Sequence, residues 1–229
     1  MRTLKALRKA FPDARLNIDP NGAWSLSEAI RLSREMNSLI TYVEDPCGPE
    51  DGFSGREIMR EFKNATNLPV ATNMIATNWR QFYHTLLESA CDIILANPHF
   101  WGFEGTIRIS QLLEQFGLTW GIHSNNHFDI TLAAFAQVGA AAVGNIAPVD
   151  THWIWQDGQN LLLDTPEIRN GKLILPSSPG LGVHINRKRV EEARRLYESL
   201  EKHERDDAEY MQYLIPGWKY DSNRPCLCR

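Results

Sequence analysis

Five short apolar segments each close on a polar side chain, and the interval between closures is nearly constant. The closing residues are Asp19, Glu44, Asn73, Asn97 and His123, separated by 25, 29, 24 and 26 residues. Each segment alternates or runs apolar over five to seven residues, as in Arg15-Leu-Asn-Ile-Asp19 and Cys91-Asp-Ile-Ile-Leu-Ala-Asn97. Between them lie stretches with apolar residues three and four apart, the spacing of a helix with one buried face. Strands alternating with helices at this period imply βαβ units and a parallel sheet. The regularity of the period favours a (β/α) barrel over an open doubly wound sheet. In such barrels the reactive groups sit at the C-terminal strand ends, where these five side chains fall.

Helices are expected over 1–11, 26–37, 54–66, 78–89, 104–116 and 129–143. Ser25 is placed to cap the second, with Glu28 completing a capping box. Strands are expected over 15–19, 39–44, 68–73, 91–97 and 118–123. A further strand should end near Asp150, 27 residues after His123, which makes about six parallel strands. The expected fold class is therefore α/β, a partial (β/α) barrel followed by a C-terminal tail. Residues 1–160 form the barrel portion in this reading. Residues 161–229 form a separate part: a hairpin about Asn170-Gly171, a loop over Pro179–Gly182, a charged helix over Asn186–Glu204 and an irregular aromatic end.

With 229 residues, 43% of them hydrophobic, the chain is long enough to bury a full core. A net charge of −4 supplies no basic field for nucleic acid. No apolar run approaches 18 residues, so no membrane span is expected. The first residues lack the apolar core of a secretion signal. Cys47, Cys91, Cys226 and Cys228 read as reduced thiols, and the chain reads as cytoplasmic.

Asp19, Glu44 and Asn73 present oxygen donors from three successive strand ends. Hard oxygen donors suit Mg²⁺, and the absence of His and Cys from these positions argues against Zn²⁺. Glu50 is a reserve ligand. His123 is the candidate acid or base at the same set of strand ends. It opens His123-Ser-Asn-Asn-His127, which is neither a metalloprotease helix nor a nucleophile elbow. Ser124 and Asn125 are candidate hydrogen-bonding groups for a polar substrate, whereas His127 reads as a histidine bonded to its own loop. His152, in Asp150-Thr-His-Trp-Ile-Trp155, is placed to point toward the same mouth. Asn21, in the turn Pro20-Asn-Gly22, is placed over the metal. Gly180 and Gly182 are too little to make a phosphate loop.

Several motifs together resemble the barrel of the glucarate dehydratases in the enolase superfamily. They are Asp19-Pro-Asn-Gly-Ala-Trp24, Glu44-Asp-Pro-Cys-Gly48, Ala71-Thr-Asn-Met-Ile-Ala-Thr-Asn-Trp79 and Pro98-His-Phe-Trp101. The series continues with His123–Asp129, Asp150–Trp155 and Met211-Gln-Tyr-Leu-Ile-Pro-Gly-Trp218, so the resemblance runs end to end. It implies Mg²⁺ on Asp19, Glu44 and Asn73, stabilising the charge formed when a proton leaves carbon α to a carboxylate. Loss of water from the β carbon would then give a keto-deoxy diacid. By the same resemblance, His123 is the acid that assists departure of hydroxide. Asp19, Asn21, Asn73, His123, Ser124, Asn125, His152 and Arg205 correspond to positions that contact the sugar diacid, D-glucarate or an epimer, with Arg205 clamping the distal carboxylate.

The chain departs from that family in three respects. The family's capping domain and first two barrel strands have no counterpart here. The family's Lys-x-Lys base is also missing, because no lysine closes an expected strand. The acidic partner of the family's catalytic histidine is replaced by Asn97, and a neutral amide does not stabilise an imidazolium as a carboxylate does. The expectation is a piece of an acid-sugar dehydratase, inactive alone, that needs a missing N-terminal segment or self-associates through unpaired sheet edges. The alternative is a non-catalytic remnant or partner subunit that still binds metal and diacid. A metal-dependent hydrolase on the same barrel fits the oxygen-rich ligand set poorly.

Overall fold

The computed structural model describes residues 1–124, 127–156, 158–201, 211–213 and 215–219. The chain packs as two compact units, one formed by residues 1–95 with the segment from 211, the other by residues 96–210.

In the first unit the alternation is strict. Helix α1 (Arg2–Ala10), strand β1 (Asn17–Ile18), α2 (Leu26–Met36), β2 (Tyr42–Glu44), α3 (Gly55–Thr66), β3 (Val70–Thr72), α4 (Trp79–Leu87) and β4 (Ile93–Leu95) follow one another. The strands pair in parallel, with Ile18 beside Val43, Val43 beside Val70 and Thr72 beside Ile94. β3 and β4 are buried along their whole length, as strands covered on both faces must be. Val43, Met59, Phe62, Val70, Ala71 and Ile94 are fully buried around them. Each large apolar side chain so buried contributes roughly 1.5–3 kcal/mol. Asp92 interrupts the apolar run before β4 for a reason: its carboxylate accepts the Val70 N–H and meets Lys63 at 2.8 Å.

The helix starts follow the capping signals. Ser25 Oγ accepts the Glu28 N–H at the start of α2. The complete reciprocal capping box lies one helix later, where Ser54 accepts from the Glu57 N–H and the Glu57 carboxylate returns to the Ser54 N–H.

In the second unit α5 (Pro98–Gln115) precedes β5 (Thr119–Ile122), and α6 (Asp129–Ala141) precedes β6 (Asn145–Val149). β5 and β6 pair in parallel, with Trp120 beside Ile146. Trp120, Ile122, Leu132, Phe135, Ile109 and Leu113 form the buried centre. α5 begins six residues earlier than its periodicity suggested. Asn97 caps it and Pro98 occupies the first turn, while Gly102 at φ 66° breaks the helix and hides the continuity. A single 3₁₀ turn covers Trp153–Trp155. The hairpin is present as β7 (Ile168–Arg169) and β8 (Lys172–Leu173), turning through Asn170 and Gly171, both at positive φ. The charged helix, α7, spans Arg187–Ser199 with Asn186 as its cap.

Together the two units carry six parallel strands alternating with helices, the α/β content of a partial (β/α) barrel. No described helix is long and apolar enough to cross a membrane.

Candidate functional site

The oxygen donors of the first unit converge at the C-terminal ends of β1, β2 and β3. Asp19 follows β1 in an exposed turn, and its Oδ1 accepts the Asn21 N–H at 2.7 Å. Asn21 takes φ 52°, a left-handed conformation that asparagine tolerates, and the next residue, Gly22, donates to the Asp45 carbonyl at 2.6 Å. Glu44, at the end of β2, is 5% exposed. The Asn73 amide reaches it from β3, with Nδ2 2.5 Å from Glu44 Oε1. Glu50 Oε2 accepts the Leu26 N–H at 2.7 Å, so the reserve carboxylate helps to cap α2.

Behind these residues lies a carboxyl group that the periodic pattern did not single out. Asp45 is 1% exposed and accepts from the Thr72 hydroxyl at 2.6 Å and the Asn73 N–H at 2.9 Å. Burial pushes it up to about 7; the Thr72 and Asn73 hydrogen bonds oppose this, and the negative charges of Glu44 and Asp19 add to it. Glu-Asp in succession at a strand end was the available signal. Because its folded value lies above its unfolded one, Asp45 supports the fold fully below pH 4. That support is lost as pH rises through about 7. In magnesium-free buffer, urea unfolding should therefore give stability that falls across this window, by on the order of a few kcal/mol. Asp45→Asn should flatten the fall, and an unchanged slope in that variant would remove Asp45 as its source.

The donor set suits a hard divalent cation. Among the described residues no group of three or more His, Cys, Asp or Glu side chains is placed to hold a metal. A half-turn of the Asn73 amide exchanges Nδ2 for Oδ1. Turned that way, the amide oxygen would face Glu44 beside Asp19, a set of oxygens whose negative charge a cation would offset. Asp19, Glu44 and Asn73 would hold Mg²⁺.

The second unit holds His123 and the histidines around it. Asn97, 3% exposed, directs Oδ1 to the His99 and Phe100 N–H groups and Nδ2 to the His123 carbonyl at 3.3 Å. It thus caps α5 and grips the main chain of His123. His123 borders a cavity of about 510 Å³ with His99, His127, Phe100, Phe128 and Leu161. Ser124 is fully buried; its N–H donates to Asp150 Oδ2 at 3.1 Å and its Oγ accepts the His152 N–H at 3.0 Å. His152 packs on Trp155 with ring centroids 4.5 Å apart. His127 is bonded at both nitrogens, to the Phe128 carbonyl at 3.0 Å and to Thr151 Oγ1 at 3.2 Å. Burial holds its imidazole below the usual histidine range. Asn125 and Arg205 lie outside the described residues.

The strand-end period foreshadowed Asp150. It gave no sign of Asp129, a fully buried carboxylate that accepts the Leu161 and Leu162 N–H groups and the Thr165 hydroxyl.

Fold and strand-end chemistry together define a class of partial (β/α)-barrel domains that carry acids and amides at their C-terminal strand ends. The family model described as enolase C-terminal domain-like matches residues 1–189, and the chain belongs to that family. Among curated relatives it is 32% identical over 218 residues to a probable glucarate dehydratase of Streptomyces coelicolor, covering 94% of this chain and 49% of that protein. The chain thus spans about half the length of that relative. An enolase from Thermobispora bispora, solved with magnesium and formate, superposes with a TM-score of 0.89 at 30% identity, covering 99% of this chain and 52% of the other. One from Pseudomonas fluorescens, solved with magnesium, potassium and tartrate, gives 0.87 at 33%, covering 95% and 50%.

Proposed function

We propose that this chain is the metal-binding and acid-bearing part of an acid-sugar dehydratase of glucarate dehydratase type, acting on D-glucarate or an epimer. The observation that carries the reading is the contact of the Asn73 amide with the buried Glu44 carboxylate, beside Asp19, at three successive parallel strand ends. The similarity to a probable glucarate dehydratase and to magnesium-bearing structures supports it.

Bound there, Mg²⁺ supplies Lewis-acid stabilisation of the charge that develops on a substrate carboxylate as its α proton leaves. The chain's own groups do the rest. Asn21 and Asn73 orient the carboxylate end. His123 delivers a proton to the departing β hydroxyl so that water rather than hydroxide leaves. His152, Asn125 and Arg205 hold the hydroxylated body and the distal carboxylate. Asn97 sets His123 through its carbonyl. The organisation proposed is a barrel part over 1–160 with a covering part over 161–229, in a cytoplasmic protein.

Among the described residues no lysine closes a parallel strand, which leaves the α proton without a family-type base, and Lys202 lies outside them. Lys5 and Lys9 lie in α1, Lys63 pairs with Asp92, Lys172 is in the hairpin and Lys188 in α7. The missing base is assigned to a lysine-bearing segment that docks with this chain. The test mixes the purified chain with a segment carrying the Lys-x-Lys strand, in the presence of Mg²⁺ and D-glucarate. Keto acid should form in the mixture and not with the chain alone. Turnover by the chain alone would remove the need for the segment. No turnover in a mixture shown to associate would favour the remnant that binds metal and diacid without catalysis.

A further inference from the structure

The loop after β5 and the loop after β6 are tied to each other by three side-chain links, and all three converge on His152. The Ser124 N–H donates to Asp150 and Ser124 Oγ accepts the His152 N–H, so one buried serine brackets the residues on either side of Thr151. The third link is His127. Its Nδ1 faces the Phe128 carbonyl and must carry the proton there. The neutral ring then accepts at Nε2, so the Thr151 hydroxyl donates to it. Thr151 Oγ1 in turn accepts the Trp153 N–H at 3.1 Å. The main chain is thus held on both sides of His152, while its ring rests on Trp155.

A substrate contact needs an exposed polar atom, and Ser124 is fully buried. Nor does a loop histidine need a partner on a different strand's loop merely to satisfy itself. We propose that Ser124 and His127 are positioning residues that act through Asp150 and Thr151 to fix the imidazole of His152 in one orientation. The inference rests on reading His152 as a substrate-facing group. The groups facing His127 are His99 from α5, His152 and Asp150 from the loop after β6, and Phe135 from α6. Burial keeps the ring neutral among them, which preserves its acceptor nitrogen for Thr151.

The test uses imidazole ¹H–¹⁵N NMR of the full chain without ligand, so failure of the dehydratase reading leaves its outcome intact. In the wild type His127 should show a single Nδ1–H form, and His152 one sharp set of signals. Thr151→Val keeps the shape and removes the hydroxyl; Ser124→Ala removes the acceptor. Each should give His127 or His152 mixed forms and split or broaden the His152 ring signals. Thr151→Ser, which restores the hydroxyl, should return the wild-type signals. Where Ser124→Ala fails to fold, Thr151→Val gives the same reading. A purely structural role would lower the melting temperature and leave the His152 signals unchanged, and that result would overturn the proposal.

Discussion

In the mixture of this chain with a lysine-bearing segment, His123→Ala should lower keto-acid formation from D-glucarate by about 10²–10⁴-fold, the usual loss for one general acid or base. The leaving group is a poor one: hydroxide must depart from the β carbon, and without a positioned proton donor the elimination stalls after α-proton removal. The defect should therefore split the two half-steps. Exchange of the α proton with D₂O, followed by NMR, depends on the base and should persist in His123→Ala while keto-acid formation falls. Asn97→Asp is the complementary change. A carboxylate at that position would favour the imidazolium of His123 and raise any exchange that the histidine itself initiates. The same change keeps an oxygen acceptor for the His99 and Phe100 N–H groups but gives up the donor to the His123 carbonyl. Equal loss of exchange and elimination in His123→Ala would make His123 the base rather than the acid.

The largest expected effect on stability lies elsewhere. Asp129→Ala should destabilise the chain by about 3–5 kcal/mol, because it removes a fully buried carboxylate and strands the donors that it satisfies. The Asp129 carboxylate, itself fully buried, takes the Leu161 N–H at 2.8 Å, the Leu162 N–H at 3.0 Å and the Thr165 hydroxyl at 2.7 Å. Leu162 itself is 1% exposed, so its amide cannot turn to solvent when the carboxylate goes. For a chain of this size the melting point should fall by roughly 10 °C. Asp164→Ala is the control. Its carboxylate bonds His184 in an exposed pair, and such pairs contribute little. Equal shifts in the two variants would show that the Leu161–Thr165 segment is not anchored through Asp129.

The strand-end residues were readable because a βαβ unit has a nearly fixed length, so polarity recurring at about 26 residues marks the sheet's C-terminal edge without any need to know strand limits. The limits themselves were not readable. Paired strand residues number two to five, since hydrogen-bond pairing ends before the apolar pattern does. α5 was misjudged because Gly102 at positive φ interrupts the 3.6-residue spacing between Pro98 and Glu104. Asp45 and Asp129 carry polar burial rather than apolar periodicity. Their donors lie 27 to 36 residues away in the chain, where spacing rules do not reach. The Ser25 cap and the Asn170-Gly171 turn were local and therefore legible.

The central claim is that Asp19, Glu44 and Asn73 hold a divalent cation. Calorimetric titration of Mg²⁺ into the wild-type chain and into Asp19→Ala and Glu44→Ala tests it most directly. The account predicts saturable heat in the wild type and binding weakened by at least about tenfold, some 1.4 kcal/mol, in each variant. Equal heats and equal affinity in all three proteins would contradict it.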